Sequence, residues 1–294
     1  MIRNKKKDIQ KLAKFFSPKN LKASIDMIQS MYTTESSLLY KELNVFDDRF
    51  SNSEKEYIRF LLKFFSGLDN NTEELADSFC FLVKNKKYKS SMFLLRGLIE
   101  AIIFNIYVTH KLFFHFKKKD MNNFLSLFFK ANLGHSEYSL KSYELVTSSN
   151  LLKKIIKKTI HKKIHINNCK EFYENTNFLT KILDTKKINN FEFFKEKENW
   201  SFTYKNIEYV LNDKTHDLIN VYHKLCEIIH PTSIEIHGHK DEISDIEYRS
   251  LIYEFANTDA LALNLYSTFF KIYIIENIIK DKKDYIDSFK SYLR

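Results

Sequence analysis

Glycine and proline are almost missing from this chain. Four glycines and two prolines occur in 294 residues. An all-β sandwich or barrel needs a turn signal about every 8–12 residues, and a phosphate-binding nucleotide fold needs clustered glycines. Here Gly67, Gly97, Gly134 and Gly238 stand far apart. Both architectures are disfavoured, and long helices joined by polar turns remain. The expected fold class is all-α. Hydrophobic residues make up 44% of the chain and aromatic residues 15%. That supply of core material argues against disorder of the whole chain.

The formal net charge is +10. A basic balance fits nucleic acid, an anionic membrane surface or an acidic protein partner. The charge is carried by 41 Lys and only 6 Arg. Arg is the residue suited to bidentate phosphate contacts, so the excess of Lys also fits the bias of an AT-rich coding sequence. Cys80, Cys169 and Cys226 are far apart with no CxxC pair, which suggests neither a zinc site nor a disulfide framework. A reducing cytoplasm is the expected compartment. The start, Met1-Ile2-Arg3-Asn4-Lys5-Lys6-Lys7, is charged and no apolar signal core follows. The most apolar stretch, 91–116, carries Arg96, Glu100, Asn105 and His110. It is expected to be a buried core helix rather than a membrane span.

Apolar spacing predicts helices over 21–42, from Ser51-Asn52-Ser53-Glu54 to Gly67, from Asn71-Thr72-Glu73-Glu74 to about 84, and over 88–116. A basic amphipathic helix is expected over 151–166 and a polar, irregular segment over 167–199. Further helices are expected over 214–229, stopped by Pro231, and over 245–279, followed by a charged tail. Residues 1–70 form an expected N-terminal helical extension, and 71–294 the main helical domain.

Four features can carry chemistry. Arg96 and Glu100, four apart in the apolar helix, share a face. Buried charges must pair, so they form either a register-fixing ion pair or a ligand-binding pair. Gly97 between them suggests close approach of a neighbouring helix. Tyr222, Cys226 and His230 form a stripe on the helix that Pro231 ends, with His230 at its C-terminus, where the macrodipole favours the charged imidazole. Cys226 lies among apolar residues, more as a packing residue than a nucleophile. His230, Glu235, His237, His239 and Asp241 cluster within twelve residues, but H-x-H alone is a weak metal signal, and no cofactor or metal is expected. Finally, Lys153, Lys154, Lys157, Lys158, Lys162 and Lys163 line one side of the basic helix. They form either a solvated face or a surface for RNA phosphate or an anionic membrane. No interleaved aromatic platform accompanies them.

Two of these features resemble a family when taken together. Leu94, Arg96, Leu98, Glu100 and Ala101 form an L-x-R-x-L-x-E-A helix. Trp200 follows, and then Tyr222, Leu225, Cys226, His230, Pro231 and Thr232 form Y-x-x-L-C-x-x-x-H-P-T. The order and spacing, over roughly 72–280, resemble an uncharacterised bacterial all-helical family of unknown function that is itself similar to the HEPN superfamily. HEPN proteins are commonly helical RNases of toxin–antitoxin and antiphage systems, often dimers with an Arg-x4–6-His motif. No Arg here is followed by such a His, and Cys226 stands where Ser is usual.

The resemblance implies a metal-independent endoribonuclease of a toxin, abortive-infection or antiphage-defence system, with Arg96, Glu100 and His230 as catalytic residues. Arg96 would stabilise the phosphorane, His230 would transfer protons and Glu100 would orient one of them. The alternative is a non-catalytic helical module that binds a protein or nucleic-acid partner in a defence complex. RNA, a protein of the same system and a second copy of the chain are the expected partners.

Overall fold

The computed structural model describes Lys11, residues 14–17, 19–30, 51–132, 137–162, 192–196, 199–204, 207–212, 215–229, 242–258 and 260–294. The helical class holds for the body of the chain. Helices run over 19–30 (α1), Asn52–Lys84 (α2), Tyr88–Lys117 (α3), Met121–Asn132 (α4), Glu137–Val146 (α5) and Asn150–His161 (α6). After the sheet follow Thr215–Ile229 (α7), Glu242–Ala256 (α8), Ala260–Lys280 (α9) and Lys282–Tyr292 (α10).

One element departs from the expected all-α class. Strands Glu192–Glu196 (β1), Asn199–Tyr204 (β2) and Ile207–Asn212 (β3) form an antiparallel sheet in the order β1-β2-β3. The register pairs Phe193 with Phe202 and Phe202 with Tyr209. This stretch is rich in Phe, Tyr, Thr and Val, the residues that suit a pleated surface. Of the segment 167–199, expected to be irregular, the part that is described, 192–196 and 199, lies in strands; residues 167–191 lie outside the described residues.

Two compact units divide the chain. One is drawn from Met1–Ser36, Asp69–Ile103 and Leu179–Leu265, the other from Ser37–Leu68, Phe104–Phe178 and Tyr266–Arg294. The boundary expected at residue 70 falls inside α2.

In the first unit the core is aliphatic. Ile25 and Ile28 of α1, Phe79 and Val83 of α2, Leu95, Leu98, Ile99 and Ile102 of α3, Leu218, Val221 and Leu225 of α7, and Ile252 and Phe255 of α8 are all buried. Each set recurs at helical spacing. Lys224 of α7 pairs with Glu254 of α8 at 3.0 Å.

The second unit is aromatic. Phe128 of α4 meets Phe60 and Phe64 of α2 edge-on, and Phe129 meets Phe289 and Tyr292 of α10. Edge-to-face rings add about 0.5–1.5 kcal/mol per pair beyond the area they bury. At the start of α2 the Ser51 amide and hydroxyl both donate to Glu54 Oε2, so the carboxylate reaches back over the first turn.

Three helix boundaries differ from expectation. α2 continues through Gly67 and Asn70-Asn71 instead of ending there, and Thr72 Oγ1 donates to the Asp69 carbonyl within the helix. The expected 245–279 helix is two helices. At the break Asn257 Nδ2 donates to the Tyr253 carbonyl and Thr258 Oγ1 donates to the Phe255 carbonyl, local side-chain bonds that compete with the helix. The charged tail is α10, with Tyr285, Ile286, Phe289 and Tyr292 buried at helical spacing.

α3 is the one helix among the described residues long and apolar enough to cross a membrane, and half of its most apolar stretch is buried inside the protein.

Candidate functional site

Arg96 and Glu100 lie one turn apart on α3, flanked by the fully buried Leu95, Leu98, Ile99 and Ile102. They sit at the edge of this apolar face, with side chains 27% and 30% exposed. Arg96 Nε donates to Glu100 Oε1 at 2.9 Å. Tyr222 Oη, from α7, donates to the same oxygen at 2.9 Å. The Arg96 guanidinium also lies 5.7 Å from the centre of the Tyr222 ring. The Arg–Glu pair expected from spacing is therefore formed, but it is half-buried rather than sealed in the core, and its third member is a phenol.

The electrostatics follow from this geometry. Burial and the bond to anionic Glu100 push the Tyr222 phenol well above its ordinary value, so it stays protonated and donates. Burial acts against the charge on Arg96, but its surroundings, Tyr222 and Glu100 foremost, outweigh it and hold the guanidinium more firmly ionised. Of the five N–H donors of a guanidinium, Nε–H goes to Glu100. Glu100 Oε1 already accepts two bonds, which suits an orienting group better than a base. Cys226, one turn beyond Tyr222, is a half-buried free thiol.

Gly97 has a different role from the one its position suggested. A Cβ there would meet only Leu75 Cδ2, at 3.9 Å, an ordinary van der Waals contact. No close helix approach depends on it.

His230, the expected proton-transfer residue, lies outside the described residues, as do Pro231, Thr232, His237, His239 and Lys163. Among the described residues no group of three His, Cys, Asp or Glu side chains could hold a metal.

The basic helix is α6, capped by Ser149, whose hydroxyl accepts from the Leu152 amide at 3.1 Å. Leu151, Ile155, Ile156 and Thr159 are buried, so the lysines take the remaining surface. They do not act as one row. Lys157 pairs with Glu144 of α5 at 3.4 Å, and Lys162 lies 4.4 Å above the Tyr292 ring. Lys154, Lys157 and Lys158 line a solvent-open cavity of about 700 Å³, which Lys290 and Arg294 also line.

Sequence reasoning missed the part Tyr222 plays, although its spacing of four from Cys226 was visible. It also missed Lys290 and Arg294, which the helical period of Tyr285, Ile286, Phe289 and Tyr292 could have placed. Lys271 of α9, fully buried, gave no signal, because a single Lys in an apolar helix carries none.

Comparison with protein-family models, with curated proteins and with solved structures gives no match.

Proposed function

We propose that the protein is a HEPN-like helical endoribonuclease that works without a metal in a bacterial toxin or antiphage-defence system, with its chemistry at Arg96. The observation that carries this reading is a guanidinium, 27% exposed, oriented by a carboxylate that the Tyr222 phenol in turn holds in place. In such a site the RNA 2′-OH loses its proton and attacks the adjacent phosphorus, the P–O5′ bond breaks, and the departing 5′-oxygen takes up a proton, leaving a 2′,3′-cyclic phosphate and a 5′-hydroxyl. Arg96 stabilises the charge of the phosphorane, an electrostatic role that gains most from a preorganised donor. Glu100 and Tyr222 hold Arg96 in place, and His230 transfers the protons. The net charge of +10 favours a polyanionic substrate.

A second reading is favoured by the saturation of Glu100 Oε1. The three side chains then serve only to lock α3 to α7, in a non-catalytic module that binds a protein or nucleic-acid partner.

One experiment separates the two. Purified protein is incubated with total RNA in the presence of chelator, beside Arg96→Gln, Tyr222→Phe and His230→Ala, with melting temperatures recorded in parallel. The enzyme reading expects cleavage that Arg96→Gln and His230→Ala abolish while His230→Ala melts like the parent. No cleavage by the parent, together with lower melting temperatures for Arg96→Gln and Tyr222→Phe, selects the module.

A further inference from the structure

The second unit holds a cavity unconnected with Arg96. Its walls come from the start of α2 (Glu56, Tyr57), one face of α6 (Lys154, Lys158) and the end of α10 (Lys290, Arg294). Counting Lys157, five cationic side chains face one carboxylate, Glu56. Lys157 is engaged by Glu144. Among the described residues no carboxylate pairs with Lys154, Lys158 or Lys290. Like charges gathered without counterions repel each other, and a multiply charged anion relieves that repulsion.

We propose that this cavity binds the polyphosphate group of a compact ligand, with a nucleoside triphosphate as the class that fits. Its volume of about 700 Å³ lies in the range of small-molecule sites. Lys154 and Lys158 are one helical turn apart, a rise of about 6 Å, so a single triphosphate can touch both while Lys290 closes from the facing helix. Among the described residues the wall carries the His161 imidazole and the Tyr57 ring, which Phe289 braces edge-on at 5.1 Å and Lys290 Nζ approaches to 5.7 Å from its centre. The Tyr57 ring offers stacking to a single base. A single-stranded nucleic acid would need a series of rings and a continuous basic track. The track is broken here, because Lys153 and Lys162 are both absent from the wall. The site stands whether or not the Arg96 cluster cleaves RNA.

The test is titration calorimetry on the full chain at 0.15 M salt, with a non-hydrolysable nucleoside triphosphate, inorganic triphosphate and a twelve-residue oligouridylate. The parent is compared with Lys154→Glu/Lys290→Glu, with Tyr57→Leu and with the exposed control Lys89→Glu; far-UV spectra check each fold. The expected result is nucleotide binding that falls at least about tenfold in the double variant and is unchanged in Lys89→Glu. Tyr57→Leu should weaken the nucleotide but not inorganic triphosphate. Three outcomes overturn the proposal: no nucleotide binding; an equal loss in Lys89→Glu, which marks a diffuse charge effect; or binding of the oligouridylate without the mononucleotide, which marks an RNA surface. Equal affinity for nucleotide and inorganic triphosphate overturns the nucleoside part.

Discussion

Tyr285 is buried in α10, and its hydroxyl has no hydrogen-bond partner among the described residues. A buried polar group without a partner carries its desolvation cost unrelieved. Tyr285→Phe keeps the ring and its edge contact with Phe289 and removes only the hydroxyl. Urea unfolding should show the variant more stable by about 1 kcal/mol; a loss of stability would mean that the hydroxyl is satisfied. His110 offers a second residue-scale test. Burial pushes its imidazole down from 6.5 to about 4, so the native state stays neutral where the unfolded chain takes up a proton. Stability therefore falls as the pH drops from about 6.5 to about 4 and levels off below that, by on the order of 3 kcal/mol in all. His110→Leu should flatten that part of the stability–pH curve; an unchanged curve would remove His110 as its source. At this scale the sequence was informative only where charges were spaced for each other. Arg96 and Glu100 announce their bond because four residues make one turn. Tyr222, 122 positions away, joins them through tertiary packing that no local pattern encodes.

At the scale of elements, buried faces were legible and helix ends less so. The apolar period of α3, α6 and α7 placed their inward residues, and Ser51 and Glu54 marked the start of α2. The same cap vocabulary misled at Asn71-Thr72-Glu73, where the signal lies inside a helix whose continuity comes from burial of Asp69, Thr72 and Ala76 on one side. Gly67 was taken as an end for the same reason. Both glycines sit in helix interiors, with nothing near a Cβ at Gly67 and only Leu75 near one at Gly97. Ala in place of either keeps the helix and narrows the unfolded ensemble. Gly67→Ala and Gly97→Ala should each raise stability by about 0.5–1 kcal/mol, read as a shift of the urea midpoint at constant slope. A fall in either would mean that the helix needs glycine there for a reason its surroundings do not show. The sheet was illegible because three strands of five or six residues are too short for alternation to stand out from a Lys- and Asn-rich background.

Across the whole molecule, composition fixed the class and left the domain boundary open. Scarce glycine and proline forced long helices. The compact units are assembled from separate stretches of the chain, a property of tertiary contacts that no linker marks in the sequence. The +10 charge belongs to this scale too. It is spread over 41 lysines, several of them with partners of their own, as Lys84 has in Gln29, Lys224 in Glu254 and Lys157 in Glu144. A diffuse field attracts polyanions at long range, is screened within about 8 Å at physiological salt, and depends on no single residue. Retention on a polyanionic resin should accordingly weaken steeply with salt. Lys154→Glu, Lys89→Glu and Lys22→Glu, which act at scattered points, should each lower the eluting salt concentration by a similar small step. A step much larger for Lys154→Glu than for the other two would show that the polyanion is held locally on α6, and would return that helix to the role of an RNA surface.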